Sequence, residues 1–545
     1  MKTSKACFRG GSNRRRLLLM LACIAGLLQW NLWSDVQAGT GPPPDGSLDS
    51  GFGTGGRVTS SFTSQVGINA IAIQQDGKIV AVGKLNQQFQ VQFAVARYNA
   101  NGSLDASFGT GGRVVTSVKG LDDEPFAVAI QSDGKIVVGG QAVFQQQILF
   151  ALVRYNSNGT PDAGFGAGGI VVTGFNGQDT VSGLAIQQDG KIIAGGTSGP
   201  PASSVFAMAR YNTNGSLDPG FGAGGKATTA FTQPFQGGAF VNGIALQQDG
   251  KIVAAGGLFS QVKGSTFAVA RYNTNGGLDQ GFGTAGQITT SFPGTSFAGA
   301  VAIQPDGKIL TAGNSSIANA QPPQFALVRY NPNGTLDGGF GSGGQVTTSF
   351  SGLASGFAVA IQSDGKPVVA GTMSVSNSQS VFALARYNLN GSLDNSFGAA
   401  GEVTTSFTGS SDGVRAMAIQ ADGRIVAGGS AFTNFALARY NSLSFDTCMA
   451  NQAGTVVFSA NTRTGGYRLN TCNGSVLTGT GTLRQVGSVL TLTDFRPDRR
   501  VSVAILTNQL TARATIYVLV TPGVWQLYTI NATATQLGIC SCANN

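Results

Sequence analysis

The stretch Asn69-Ala70-Ile71-Ala72-Ile73-Gln74-Gln75-Asp76-Gly77-Lys78-Ile79-Val80-Ala81-Val82-Gly83 decides the fold. Small and β-branched residues alternate on both sides of an Asp-Gly pair. A two-residue turn of that kind, with two positive-φ positions, is the strongest short-range hairpin signal a sequence carries. Phe93-Ala94-Val95-Ala96-Arg97-Tyr98-Asn99 then reads as a third strand. The block recurs seven times, with Asp-Gly turns at Asp76, Asp133, Asp189, Asp249, Asp306, Asp364 and Asp422, a period of 56 to 60 residues. Periods of this length belong to repeat architectures.

A fourth, Thr-rich run completes each unit, as in Gln345-Val346-Thr347-Thr348-Ser349-Phe350. Side-chain periodicity is two throughout, without a long helical pattern. Fourth runs begin near Arg57, Arg113, Ile170, Lys226, Gln287, Gln345 and Glu402. The first of them precedes every inner strand, and the last inner set, Arg415 to Tyr440, has none after it. Closure resolves both ends: Arg57–Phe62 completes the unit of Arg415–Tyr440, and a closed ring leaves no sheet edge to aggregate. The expectation is an all-β chain with a seven-bladed β-propeller over 47–441, closed by an N-terminal outer strand. An open solenoid of stacked hairpins would leave both ends uncapped and would not explain the offset.

Three elements recur in fixed order: Ala-Ile-Gln-x-Asp-Gly-Lys-Ile, Phe-Ala-x-x-Arg-Tyr-Asn-x-Asn-Gly and Leu-Asp-x-x-Phe-Gly. Over about residues 46–441 they resemble the bacterial delta-60 repeat, found in exported proteins. The resemblance implies export and a repeat scaffold, and it brings no catalytic residues. Two copies depart from it: Pro161-Asp162 replaces Leu-Asp, and the last Arg-Tyr-Asn, at Arg439, lacks the Asn-Gly that should follow.

Composition narrows the function. Among 545 residues, 81 are Gly, 42% are hydrophobic and 11% are charged, which suits strands joined by tight turns. The net charge of +9 lies outside the repeats: residues 39–441 hold 21 basic and 21 acidic groups. A nucleic-acid binder carries its basic excess on the folded surface, so nucleic acid is set aside. Histidine is absent, which removes the Ser-His-Asp triad, the usual imidazole base and His-ligated zinc.

The N-terminus reads as an export signal. Basic residues from Lys2 to Arg16 precede the apolar run Leu17 to Leu28, and Val36-Gln37-Ala38 is a small-x-small cleavage pattern. The apolar run is short for a membrane span. Residues 1–38 are therefore expected to be a signal peptide and 39–46 a Pro/Gly leader, with the mature chain secreted, periplasmic or on the cell surface and free of a transmembrane span. From residue 442 the repeat gives way to Thr-, Val- and Leu-rich strands of a small β-sandwich or barrel over 442–545. Cys448, Cys472, Cys540 and Cys542 all lie there. An even number in an exported domain suggests two disulfides, three pairings being open; four-cysteine zinc is the weaker reading, given the wide spacing.

The hairpin between a blade's first and second strands and the connection between its third and fourth lie on one face, and both are copied in every unit. The opposite face carries loops that differ freely, such as Lys84 to Gln90, Val143 to Gln147, Ser198 to Pro201 and Ala318 to Gln321. Function tends to sit on loops held by a rigid scaffold, so any ligand is expected on the variable face. Glycans or protein surfaces suit its Gln, Ser, Asn and Phe content. The candidate ligand-binding residues are Asp122, Asp123 and Glu124, with Asp179 and Asp412 in equivalent loops. They could hold Ca²⁺ or pair for glycoside cleavage; a solvated acidic loop is the simpler reading, and no cofactor is called for. Glu occurs only at Glu124 and Glu402, which leaves little material for acid/base work. The repeated Arg of Arg-Tyr-Asn and Asp of Leu-Asp read as intra-blade hydrogen bonds. The sequence thus favours an exported, monomeric, non-enzymatic binding or adhesion scaffold. A polysaccharide hydrolase or lyase with carboxylates in the propeller funnel, and a purely structural envelope protein, are the alternatives.

Overall fold

The computed structural model describes residues 44–442, apart from 88–89, 120–121, 176, 232–236, 260–263, 318–320, 377 and 408–410, together with strand backbone between 447 and 532. The signal expected over 1–38 and the loop at 318–320 lie outside the described residues. No helix among them is long and apolar enough to cross a membrane.

Seven four-stranded antiparallel sheets follow one another along the chain as the blades of a propeller. Blade one is built from Gln65–Ile73, Ile79–Gln87, Gln90–Tyr98 and Arg113–Thr116, and blades two to six repeat that order. Blade seven takes three strands, Asp412–Ile419, Ile425–Ala431 and Asn434–Tyr440, and its fourth is Arg57–Ser60 from the other end of the repeats. The register is Arg57↔Ala438, Val58↔Leu437, Thr59↔Ala436 and Ser60↔Phe435, so the ring closes as the strand count requires.

Closure reaches further than one strand. The Asn-Gly missing after Arg439 is replaced by Asp45-Gly46, assigned to the leader on composition. Gly46 N donates to Asn441 O at 2.8 Å and Asn441 N to Ser47 O at 2.8 Å, as Gly102 N does to Asn99 O and Asn99 N to Ser103 O in blade one. Gly46 has φ +83°, matching Gly102 at +88°. Such a φ is cheap for glycine alone. Leu48, Asp49 and Phe52 then occupy the places of Leu104, Asp105 and Phe108, with Asp49 N bonded to Arg439 O as Asp105 N is to Arg97 O.

The core lies between blades. Val80, Val82, Phe93 and Val95 of blade one pack on Ile136, Val138, Ala151 and Val153 of blade two, all fully buried. Tyrosines of the Arg-Tyr-Asn elements stitch the same seams. Tyr155, Tyr211, Tyr272, Tyr330, Tyr387 and Tyr440 reach threonines on the outer strand of the preceding blade, at 2.7 to 3.0 Å. Buried hydroxyls need such partners.

Beyond 442 the described backbone forms a four-stranded antiparallel sheet from Thr447–Ala450 to Val476–Thr480 and a five-stranded one from Thr482–Val486 to Val524–Ala532. The four cysteines expected to form disulfides are outside the residues whose side chains are described.

Candidate functional site: an axial funnel with unlike walls

Every inner strand carries a β-bulge at the same place. The ladder to the second strand skips one residue, and the skipped residues are Asn69, Phe126, Ser182, Asn242, Gly299, Phe357 and Arg415. The second strand makes room with a glycine in each blade. A Cβ on Gly83 would stand 1.8 Å from Gly67 O, and one on Gly256 1.8 Å from Phe240 O; Gly140, Gly196, Gly313, Gly371 and Gly429 meet the equivalent carbonyls at 1.8 to 2.0 Å. A bulge re-aims a side chain. Here a constant glycine lets seven blades turn residues of five types to the axis.

All seven line one cavity of about 740 Å³ that touches the inner strand of every blade. Towards the variable face its wall includes Glu124, Thr180 and Phe297; towards the hairpin face it meets Ile71, Val359 and Met417. Some of the polar groups do structural work. Asn69 Nδ2 donates to Pro125 O at 2.8 Å and Asn242 Nδ2 to Ala298 O at 2.7 Å, each satisfying the carbonyl just ahead of the next blade's bulge. Lys84 Nζ lies 3.1 Å from Glu124 Oε1, pairing blade one with blade two. Arg415 lies with its Cζ 4.4 Å over the Phe357 ring and faces the funnel's solvent. Desolvation by the surrounding wall lowers its pKa, while the more distant Glu124 charge opposes.

The rim is tied down rather than loose. Asp123 N donates to Val91 O, Ala239 N to Ser204 O, Ser296 N to Ser265 O and Val66 N to Thr433 O, at 2.7 to 3.0 Å. Each bond joins one blade's second hairpin to the start of the next blade. Phe144, Phe259, Phe432, Leu353 and Val375 stand exposed on this rim. A second hollow of about 420 Å³, lined by Ile148, Pro201, Phe240 and Phe259, adjoins the funnel at Thr180. Phe240 and Phe297 meet edge to face there, centroids 5.9 Å apart.

The five acidic candidates do not converge. Asp122 is exposed on the rim. Asp123, Asp179 and Asp412 are buried, not solvated. Their carboxylates accept the backbone N–H of Val118, Phe175 and Phe407, each at 2.7 Å, and so brace the loop that leads into their own blade. Burial pushes the Asp179 carboxyl above its usual range, the Phe175 N–H opposing. Glu124 alone of the five lines the funnel, and it is the one carboxylate among the described residues that do. Among the described residues no group of three or more acidic, Cys or His side chains could hold a metal ion. Sequence reading missed Lys84 and Arg415 as funnel residues. Arg415 could have been found by comparing the copies, because the same place holds Ser182 in blade three and Gly299 in blade five.

On the opposite face the repeated charges form a scaffold, and part of it crosses blades. Arg97 Nε donates to Asp105 Oδ2 at 2.8 Å, and its Nη1 reaches Ser157 O of blade two. Arg154, Arg210, Arg271 and Arg329 repeat both bonds, and each guanidinium stacks on the Phe of Phe-Gly at 4.3 to 4.9 Å. The hairpin lysines complete the site: Lys191 Nζ lies 2.9 Å from Asp218 Oδ2 and Lys366 Nζ 2.7 Å from Asp394 Oδ2. The Asp-Gly-Lys module thus fastens its hairpin to the Leu-Asp turn of its own blade.

These carboxylates set the acid limit of the fold. The Lys191 ammonium, with Gly220 N–H and Arg210, outweighs burial and pulls Asp218 down to about 2. At Asp105, Asp162, Asp279, Asp337 and Asp394 burial is the largest influence and opposes, yet the combined hydrogen bonds and cations leave each below its usual value. A carboxyl depressed in the folded state stabilises it above the unfolded pKa, and that stability is lost as pH falls through the folded value. Burial shifts Asp179, Asp364 and Glu402 the other way and offsets a part. With no histidine, the denaturant midpoint is expected to stay level from about pH 8 to 5 and to drop between about pH 4 and 2. A steep change near pH 6.5 would contradict this assignment.

Fold and site together define a seven-bladed β-propeller with one copied face and one differentiated face. Seven stretches, 74–108, 131–165, 187–221, 247–282, 304–340, 362–397 and 420–442, match the family model described as "Domain of unknown function (DUF5122) beta-propeller". No curated protein matches the chain. Among solved structures the chain is similar to a catalytically inactive virginiamycin B lyase from Staphylococcus aureus with quinupristin, at 11% identity over 71% of this chain and 99% of that one, TM-score 0.43. It is also similar to an ulvan lyase, at 12% identity over 71% and 96%, TM-score 0.40. Chaetomium thermophilum Sqt1 bound to the N-terminus of a ribosomal protein is similar at 13% identity over 82% and 96%, TM-score 0.39.

Proposed function

We propose that the protein is an exported binding or adhesion module that takes its ligand into the axial funnel and onto the variable rim, without catalysing a reaction. One observation carries the reading: the same bulge in all seven blades brings five residue types, two Asn, two Phe, one Ser, one Gly and one Arg, to a single cavity. Residues copied for packing would be alike. The cavity also has the size of ordinary ligand sites, and its Asn, Ser and Thr groups beside Phe rings suit glycans or protein surfaces. Catalytic cleavage of a polysaccharide by paired carboxylates needs two of them, and the funnel wall offers Glu124 alone among the described residues. The delta-60 resemblance and the signal-peptide pattern over 1–38 support export from the cytoplasm to a compartment where two disulfides would stabilise the region after 442.

Gly67→Phe tests this. Gly67 lines the funnel, and a Cβ there meets only Ser430 Cβ at 3.5 Å, an ordinary contact. The variant is expected to fold and to plug the mouth. On glycan and matrix-protein arrays the parent protein should bind and the plugged variant should lose those signals. Equal binding by both would move the site out of the funnel.

A further inference from the structure

The charges in the funnel do not cancel. Lys84 and Glu124 neutralise each other at 3.1 Å. Arg415 has no carboxylate within ion-pair distance among the described residues, and Glu124 acts on it only at longer range. It is nonetheless held in place, with its Cζ 4.4 Å over the Phe357 ring. Arg97, Arg154, Arg210, Arg271 and Arg329 of the Arg-Tyr-Asn elements, by contrast, sit on the copied face and are tied to aspartates and carbonyls. Arg415 is thus a pre-oriented guanidinium in a ligand-sized cavity, which is the arrangement that recognises a carboxylate through paired N–H donors. Around the same ring of bulges stand Ser182 and, with their Nδ2 given to Pro125 O and Ala298 O, Asn69 and Asn242, short neutral groups that match a ligand dense in hydroxyls.

Resting on the funnel reading above, we infer that the ligand is an acidic glycan, with a uronate carboxylate docked on Arg415 and its hydroxyls against the neutral side of the ring. An acidic peptide would use Arg415 but presents its remaining polar groups along one backbone line, for which the encircling Asn and Ser side chains are poorly placed.

The test is titration calorimetry of the purified protein with trigalacturonate, maltotriose as the neutral sugar and triglutamate as the acidic peptide, at low and high salt. Trigalacturonate should bind, more weakly as salt rises, and maltotriose should not. Arg415→Gln should weaken trigalacturonate binding about 10- to 100-fold, the value of a lost charge-assisted hydrogen bond, and Arg415→Lys should retain part of it. Both variants should unfold at the parental denaturant midpoint, because Arg415 faces solvent. Parental affinity in Arg415→Gln, equal binding of maltotriose, or binding of triglutamate in place of trigalacturonate would each overturn the inference, as would no binding of any probe. The funnel reading is judged separately, by whether Gly67→Phe removes the array signals.

Discussion

Removal of residues 44–60 is expected to abolish cooperative folding of the ring. The segment looks dispensable on the chain, since it precedes the first complete repeat, yet it supplies four things to blade seven. Arg57–Ser60 is its outer strand. Asp49 is the partner of Arg439, whose Nε lies 2.8 Å from Asp49 Oδ2. Asp45 pairs with Arg386 across the seam to blade six. Phe52, fully buried, lies under the Arg439 guanidinium with Cζ 4.6 Å from its centroid. Breaking one buried ion pair by deleting a single partner costs about 3–5 kcal/mol, and this truncation takes Asp49 from Arg439 and leaves Arg386 with Asp394 alone of its two carboxylates. Loss of a buried Phe adds about 3 kcal/mol or more. Against a typical total of about 5–15 kcal/mol, the ring should not survive, and the bared third strand of blade seven should drive association. A guanidinium melt followed by circular dichroism should show no cooperative transition, and a synthetic peptide of residues 44–62 should restore one. A truncated protein melting near the parent would mean that the ring is not closed in this way.

The second large effect belongs to Arg386. It is 1% exposed and the best-connected side chain at the seam of blades six and seven. Its Nε donates to Asp394 at 2.9 Å, its Nη2 to Asp45 and to Ser396 at 3.1 Å, and its Nη1 to Gln362 and Ser442 at 3.4 and 3.3 Å. Desolvation alone would lower its pKa, but Asp45 and Asp394 overcome that and raise it. Arg386→Ala removes the guanidinium from Asp45 and leaves Lys366 as the cation at Asp394; it should cost about 3–5 kcal/mol, read as a large fall in denaturant midpoint. Arg386→Lys keeps the charge without the planar fork and should fall between. Arg415→Ala, the same substitution on the funnel wall, should leave the midpoint unchanged. Equal effects at the two positions would contradict the division of the arginines into a structural set and a binding residue.

Much of this was legible in the sequence. Seven Asp-Gly hairpins gave the blade count, and the orphan run at Arg57 gave the closure, because both are local signals repeated often enough to outweigh noise. The extra reach of the closure to Asp45 was hidden, since Asp45-Gly46-Ser47-Leu48-Asp49 is a repeat turn cut off from its own Arg-Tyr-Asn by the whole ring. The copied Arg, Asp and Lys were readable as scaffold, but their links to the next blade were not, because a carbonyl acceptor such as Ser157 O leaves no trace in residue identity. The bulges leave the faintest trace in the sequence. Gly83 and its counterparts were visible as a conserved end of the second strand, yet their meaning depends on a carbonyl from a neighbouring strand. Without the bulge, Arg415 reads as one more surface charge. Asp123, Asp179 and Asp412 misled in the opposite sense: acidic residues in variable loops look exposed, and here each turns inward to cap its own loop.

The copied elements are scaffold, and the proposed site is the ring of bulge residues on the axis. A crystal structure of the protein with the oligosaccharide that gives its strongest array signal tests it most directly. That ligand is expected within the funnel, in contact with Arg415 and with at least one other bulge residue such as Asn69 or Ser182. A ligand seated instead on the Asp-Gly-Lys hairpins, with the funnel holding only solvent, would contradict it.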